Sequence, residues 1–292
     1  MPRPGKVSEH LLTGTGRQDS ARLLAFVAAH AVPGVESWDG VTYARSLTLP
    51  GGPAVAAVAA DNPGYAVTLR LTDPADRHAA LVRLRHLLAL DLDVAGAEEH
   101  LARDPLLGPL VAARPGLRPP GSVDHAETLI RTVIGQQVSL AGARTLGARL
   151  VWRHGQRLPA WLADTPGVTH VWPGAAVIAA LDPTDPSLAM PAARARTVVA
   201  TAAAVAGAGS RLPSPSDLLA IPGVGAWTCG YVALRCRADP DVFLPGDLAA
   251  RRALERLGLP VTTQRAVAST AEAWRPYRSL ALMHLWADYL VL

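Results

Sequence analysis

The sequence predicts an α+β protein, an antiparallel β-sheet domain with helices near the N-terminus followed by an all-α remainder. Three observations carry this. Three short apolar runs, VTYARSLTL (41–49), PAVAAVAA (53–60) and YAVTLRL (65–71), are separated by Pro-Gly-Gly-Pro and Asp-Asn-Pro-Gly turns, the pattern of an antiparallel meander. From about residue 122 onward, apolar residues recur at helical spacing between short Gly/Pro loops. Half of the 292 residues are hydrophobic, which excludes a disordered chain and suffices for one large core or a few smaller ones.

In chain order, residues 1–18 are polar and Gly-rich and read as a loosely held tail. SARLLAFVAAHAV (20–32) has helical apolar spacing, the three strands follow, and DRHAALVRLRHLLAL (76–90) is an amphipathic helix. This first domain covers 19–113 and ends near the Pro-rich 114-RPGLRPPG-121. In the helical region 114–292, HAETLIRTVIG (125–135) and LAGARTLGARLVWRHG (140–155) flank a break at QQVS, with Ser139 placed as N-cap of the second helix. AARARTVVATAAAVA (192–206) is a further helix, and SPSDLLA (214–220) is a short one capped by Ser214 or Ser216. A helix running through Arg235, then DLAARRALERLG (247–258) and SLALMHLWADYLVL (279–292), complete the series.

Charge and special residues narrow the function. Lys and Arg number 28 against 24 Asp and Glu, a net charge of +4, which suits a polyanionic partner. Lys6 is the only lysine. The two cysteines, Cys229 and Cys236, share one segment, so no disulfide framework is implied. The N-terminus has no signal-peptide pattern and no apolar run reaches membrane-spanning length, so a soluble cytoplasmic protein is expected. His125, His154, His170 and His284 lack ligand spacing to one another.

The stretch 221-IPGVGAWTCGYVALR-235 carries the sharpest signal. Gly223 and Gly225 permit backbone conformations and a close approach that side chains would block. The N–H groups just beyond them can bind a phosphate oxygen. Taken alone, the five residues 221–225 read equally well as an ordinary turn between helices.

The residues around and beyond the turn resolve that ambiguity. LLAIPGVGAWTCGYVALR and then VFLPGD (242–247) resemble the helix-hairpin-helix, Gly/Pro, Asp signature of the DNA glycosylase superfamily. SARLLAFVAAHAVPGVE, TYARSL, ARPGLRPPGSVD, TVIGQQVS, VFLPGDLAARRAL and AWRPYRSLALMHLW are similar, in order, to the DNA-3-methyladenine glycosylase II family. The resemblance covers roughly residues 20–292. It implies an N-terminal β domain, two helical domains with an active cleft between them, and action on double-stranded DNA as a monomer.

The resemblance also assigns roles. Asp247 would be the catalytic carboxylate; its simpler role is a helix N-cap. Phe26, Trp227, Tyr231 and Trp286 would line a pocket for the flipped base, where ordinary core packing is the plainer reading, least so for Trp227. Gln137 in QQVS would wedge into the gap the base leaves. Gly223, Gly225 and Thr228 would meet the DNA backbone, and the carbonyls of Leu219, Ile221 and Gly223 would hold a structural Na⁺ or K⁺. Asp217, Asp239 and Asp241 are expected to be solvated loop or cap residues. Trp227 fills the position where bifunctional relatives carry a Schiff-base lysine, and tryptophan has no nucleophilic amine. Two cysteines are too few for the iron–sulfur cluster of some relatives. The expected activity is therefore monofunctional and needs no catalytic cofactor: hydrolysis of the N-glycosidic bond of 3-methyladenine and 7-methylguanine. Two departures bear on pocket shape, Gly246 in place of an acidic residue and Leu248 in place of an aromatic. A glycosylase for a deaminated or mismatched base, and a non-catalytic DNA-binding protein, stay open as alternatives.

Overall fold

A computed structural model of the chain describes residues 7–209, 211–259, 261 and 263–290. Lys6, the rest of 1–6, and residues 291–292, with which the helix expected over 279–292 would end, lie outside the described residues.

The described residues form a five-stranded antiparallel sheet and thirteen α-helices. The strands are β1 (Val7–Leu12), β2 (Glu36–Trp38), β3 (Thr42–Leu49), β4 (Gly52–Asp61) and β5 (Gly64–Leu71), in the spatial order β1-β5-β4-β3-β2. β2 to β5 form the meander, its register running through pairs such as Ala44 with Ala57 and Val58 with Val67. Two strands escape the sequence pattern. Val7–Leu12, expected in the loose tail, pairs along β5 from Val7 opposite Arg70 to Leu12 opposite Tyr65. This edge strand buries only Leu12, so its sequence shows little of the alternation that marks a half-buried strand. β2 has three residues, too few for any periodic pattern.

The helices are α1 (Ser20–Ala29), α2 (Arg77–Leu87), α3 (Ala95–Leu101), α4 (Gly108–Ala113), α5 (His125–Ile134), α6 (Leu140–His154), α7 (Ala175–Ala179), α8 (Ala192–Gly207), α9 (Pro215–Leu219), α10 (Ala226–Arg237), α11 (Leu248–Arg256), α12 (Gln264–Ala271) and α13 (Arg278–Tyr289). Side-chain caps start several of them. Ser139 accepts the N–H of Gly142 for α6, and Ser214 with Asp217 makes a reciprocal capping box for α9.

Three main cores organise these elements. The sheet packs on α1 and α2 through Leu23, Leu24, Val27, Leu84, Tyr43 and Leu69. A second core gathers α5 to α9 around Leu129, Val133, Leu150, Val198 and Leu218. A third joins α3 and α4 to α11–α13 through Leu101, Leu107, Leu254, Trp274 and Leu285. Residues 95–113 thus pack with the C-terminal helices, although the sequence places them in the first domain. The chain leaves the sheet after α2, returns its next two helices to a distant partner, and only then crosses the Pro-rich segment; no local signal encodes that partnership.

Two helices position the functional site. α1 buries Leu23, Leu24 and Val27 against the sheet while Phe26 reaches into the third core. α10 lies between the helical cores: Val232 and Cys236 face the second, whereas Leu234, Trp227 and Tyr231 face the third. A buried four-charge network ties the sheet to α5. Arg45 bonds Glu36 at 3.2 Å and Glu127 at 2.7 Å, and Arg131 bonds Glu127 at 2.7 Å and Glu36 at 2.9 Å. The Tyr43 hydroxyl adds a 2.5 Å bond to Glu36.

Candidate active site

A cavity of about 440 Å³ opens between the helical cores. Asp247, Phe26, Trp227, Tyr231 and Trp286 all line it, so five residues singled out from sequence meet in one place. Pro245 and Gly246 deliver the chain to Asp247, whose extended backbone (φ −70°, ψ 126°) makes it the N-cap of α11. Its Oδ1 accepts the Ala250 N–H at 2.9 Å and the indole N–H of Trp286 at 2.9 Å. Its Oδ2 accepts the indole N–H of Trp227 at 3.1 Å. The N-cap and site readings of Asp247 therefore coexist. Three N–H donors fix the carboxylate in place. Because each oxygen can accept about two hydrogen bonds, Oδ1 is filled and one lone pair remains on Oδ2 to face a substrate.

The aromatic rings form a connected wall. Trp227 stacks on Tyr231, with centroids 5.2 Å apart and planes 12° from parallel. Tyr231 meets Trp286 at 6.1 Å, and Trp286 stacks on Phe26 at 6.4 Å. Helical spacing explains part of this: Trp227 and Tyr231 are four apart on α10 and share a face. Arg235, four residues further on, lies 5.4 Å over the Tyr231 ring and donates to its hydroxyl at 2.5 Å. The same guanidinium donates to the Gly121 carbonyl at 3.0 and 3.2 Å, which locks the ring it supports. Leu248 lines the cavity with an exposed side chain, so this departure does shape the opening. Gly246 is exposed and does not line it.

The hairpin from Ile221 to Gly225 joins α9 to α10 outside the cavity. Gly225 is the N-cap of α10 with no side-chain cap, and the N–H groups of Ala226, Trp227 and Thr228 have no acceptor among the described residues. The Thr228 side chain is buried and its hydroxyl accepts from the Gln136 amide at 3.0 Å, which leaves its backbone N–H as the group free for an outside acceptor. The Gln136 amide also donates to the Gly223 carbonyl at 3.1 Å, which pins the QQVS break against the hairpin. Gln137, next along, is exposed in the left-handed region at φ 55°, a backbone that non-glycine residues rarely adopt. Its side chain lies outside the cavity lining and is touched by Arg194 at 3.4 Å.

The carbonyls of Ile221 and Gly223 each accept one N–H, from Val224 at 3.0 Å and from Gln136 at 3.1 Å. A carbonyl oxygen has two lone pairs, so each keeps one. With Leu219 they form a set of neutral oxygens, a chemistry that fits a hard monovalent cation and not a thiophilic metal. The neighbouring aspartates are otherwise engaged: Asp217 in the α9 capping box, Asp239 accepting the Asp241 N–H, and Asp241 paired with Arg278 at 2.7 Å.

Sequence reasoning missed His30, Arg235, Gln136 and the charge network. For two of them a signal existed. His30 follows Phe26 by four residues and Arg235 follows Tyr231 by four, so each shares a helix face with a residue already picked.

Residues 17–124 match the AlkA N-terminal domain family. The chain is 34% identical over 281 residues to the Escherichia coli protein named DNA-3-methyladenine glycosylase 2, covering 92% of this chain and 93% of that one. The chain belongs to the DNA-3-methyladenine glycosylase 2 family. A Mycobacterium tuberculosis member, named as a probable bifunctional transcriptional activator/DNA repair enzyme AlkA, is 39% identical over 268 residues. The alignment spans 89% of this chain and 53% of the mycobacterial protein, so the chain spans about half the length of that relative. Among solved structures, a 3-methyladenine DNA-glycosylase from Archaeoglobus fulgidus superposes with a TM-score of 0.78 at 18% identity, covering 96% of this chain and 98% of the other. An 8-oxoguanine glycosylase/lyase from Clostridium acetobutylicum, bound to double-stranded DNA, gives 0.72 at 14% identity with full coverage of both chains. At such identities these two likenesses establish the fold alone. The fold is thus shared with a protein named as a glycosylase/lyase and does not by itself decide between the two chemistries.

Proposed function

We propose that this chain is a monofunctional DNA glycosylase that flips an alkylated purine out of duplex DNA and hydrolyses its N-glycosidic bond. The observation that carries this reading is Asp247, held by two indole N–H groups inside an aromatic cavity. Cleaving the bond develops positive charge on the sugar. A fixed carboxylate beside that charge lowers the barrier without reorganising, and a cavity that excludes water strengthens the effect. The rings accept the flipped base by stacking, and cationic 3-methyladenine or 7-methylguanine gains a further attraction of about 0.5–2 kcal/mol from electron-rich faces.

The remaining parts support the same reading. The α10 N-terminus offers N–H groups to a DNA phosphate, aided by the helix dipole. Gln137, the neighbour of the Gln136 that bonds the hairpin carbonyl of Gly223, would fill the gap that an extruded base leaves. A monovalent cation on the carbonyls of Leu219, Ile221 and Gly223 would stiffen the turn. The proposed setting is the cytoplasm, with the protein acting as a monomer on chromosomal DNA; no helix among the described residues is long and apolar enough to cross a membrane.

The test is direct. Incubating the protein with methylated duplex DNA and analysing the released bases by mass spectrometry is expected to yield free 3-methyladenine and 7-methylguanine. Binding to that DNA without release of either base would return the chain to the class of non-catalytic binders.

A further inference from the structure

His30 lines the same cavity as Asp247, and nothing in the proposed hydrolysis uses it. It sits at the C-terminal end of α1, with its ring stacked on Phe26 at a centroid distance of 4.5 Å. Its Nδ1 lies 2.8 Å from the Phe26 carbonyl oxygen. A carbonyl can only accept, so Nδ1 carries the proton. The tautomer is thereby fixed, and the lone pair of a neutral ring falls on Nε2. Nε2 has no hydrogen-bond partner among the described residues, although it is not sealed from the cavity.

The surroundings keep the ring in that state. Burial is the main cause that pulls its pKa from 6.5 to about 4; the Phe26 carbonyl and Glu36 oppose this, while Arg235 and Arg131 add to it. At neutral pH the Nε2 lone pair is therefore a neutral acceptor in a lining whose other acceptors include Asp247, the Thr128 and Thr132 hydroxyls, and the Glu36 and Glu127 carboxylates that Arg45 and Arg131 already engage. An acceptor is what a cationic purine demands, because its exocyclic N–H groups carry enhanced positive charge and a bond to a charged group is worth more than a neutral one.

We infer that His30 reads the flipped base, its Nε2 accepting a hydrogen bond from an exocyclic amino group of an alkylated purine. This rests on the glycosylase reading and deepens it: the rings select for a flat cationic base, and His30 selects for one bearing an amino group. Flipped bases are commonly recognised through such edge contacts combined with stacking.

The test removes the acceptor and the donor in turn. Duplexes carrying a single 7-methylguanine or a single 7-methylhypoxanthine present the same charge and differ by the 2-amino group. Single-turnover excision would be compared for the wild-type protein and for His30→Phe, which keeps a ring on Phe26 but has no acceptor. The expected result is a loss of roughly tenfold on 7-methylguanine and less than about twofold on 7-methylhypoxanthine. Binding to a duplex holding an abasic-site analogue is expected to be unchanged, which separates recognition from folding. Equal losses on both bases, or no loss on either, would overturn the assignment of His30. Absence of release by the wild-type protein would instead overturn the glycosylase reading on which it stands.

Discussion

The indole N–H of Trp286 donates to Oδ1 of Asp247 at 2.9 Å, across 39 residues of sequence. One side chain thus lines the aromatic cavity and holds the carboxylate. Two substitutions separate these roles. Trp286→Phe keeps a stacking ring and removes the N–H, leaving Oδ1 with only Ala250; excision is expected to slow by about tenfold. Asp247→Asn removes the charge and puts an amide where an indole N–H must be accepted; single-turnover excision is expected to fall by roughly a hundredfold or more, with DNA affinity largely kept. Both are read from released base against time at saturating protein. Near-native excision by the Asn variant would remove Asp247 from the chemistry.

The two hairpin glycines make different demands. Gly223 has φ 89°, and a Cβ there would lie 2.5 Å from Thr197 Oγ1, so the fold itself requires glycine. A Cβ on Gly225 would meet nothing within 4 Å. Whatever requires a bare backbone at Gly225 must come from outside the chain. Gly225→Ala is therefore expected to leave the Tm unchanged and to weaken binding of any duplex by about tenfold, as when one charge-assisted bond is lost. Gly223→Ala is expected to lower stability by about 1–2 kcal/mol. Binding by the wild-type protein is also expected to weaken steeply as salt rises. Fluorescence anisotropy with labelled duplexes checks the two binding effects, and thermal melts check the two stabilities. A Gly225→Ala variant with native affinity would move the phosphate contact elsewhere.

Strand cleavage is expected to be absent. It needs an amine that attacks the abasic sugar, and the position beside Asp247 holds Trp227. Borohydride reduction in the presence of abasic-site DNA should leave no covalent adduct. An adduct mapping anywhere beyond the N-terminal tail would show that another nucleophile reaches the sugar.

Much of this site is legible in the sequence because its parts are local. The turn glycines precede a helix directly, Trp227 and Tyr231 are one helical turn apart, and Asp247 comes right after its own helix-starting turn. The roles of Asp247 and of all four aromatics are nevertheless reached only through resemblance, and for Phe26 and Trp286 no local signal helps, since an aromatic on an apolar helix face looks the same whether it fills a core or a pocket. The burial of Thr228 is hidden because its partner, Gln136, lies 92 residues away. The edge strand at Val7–Leu12 is hidden because its order comes from β5 and not from its own pattern. Glu36, Arg45, Glu127 and Arg131 each read as ordinary charged residues until the fold brings the first three into the interior and Arg131, half-buried, against them.

That network and two buried histidines set how the protein should respond to truncation and to acid. Glu127→Ala leaves Arg45, whose side chain is 5% exposed, and Arg131 to share the single carboxylate of Glu36. Breaking a buried pair from one side typically costs about 3–5 kcal/mol, so urea unfolding is expected to show a loss of that order. The acid response follows from His30 and His284, both held near a pKa of about 4, chiefly by burial, against an ordinary value of 6.5. Between those values the unfolded chain binds protons that the folded chain refuses. The stability the two neutral rings contribute is therefore fully present above pH 6.5 and is lost as the pH falls toward 4. Glu36 titrates in the same sense: burial raises its pKa, but Arg131 and Arg45 outweigh that and hold it below the usual value, so its contribution disappears only below the ordinary carboxylate range. His284 isolates the imidazole part. It is fully buried, neither ring nitrogen has a partner among the described residues, and Arg114 further disfavours its charged form. His284→Leu removes the titration without opening a large void, so the drop in Tm from about pH 7 to about pH 5 should be smaller in the variant than in the wild type. An equal drop in both would mean that His284 is already protonated in the folded protein, or that other groups govern the acid limb.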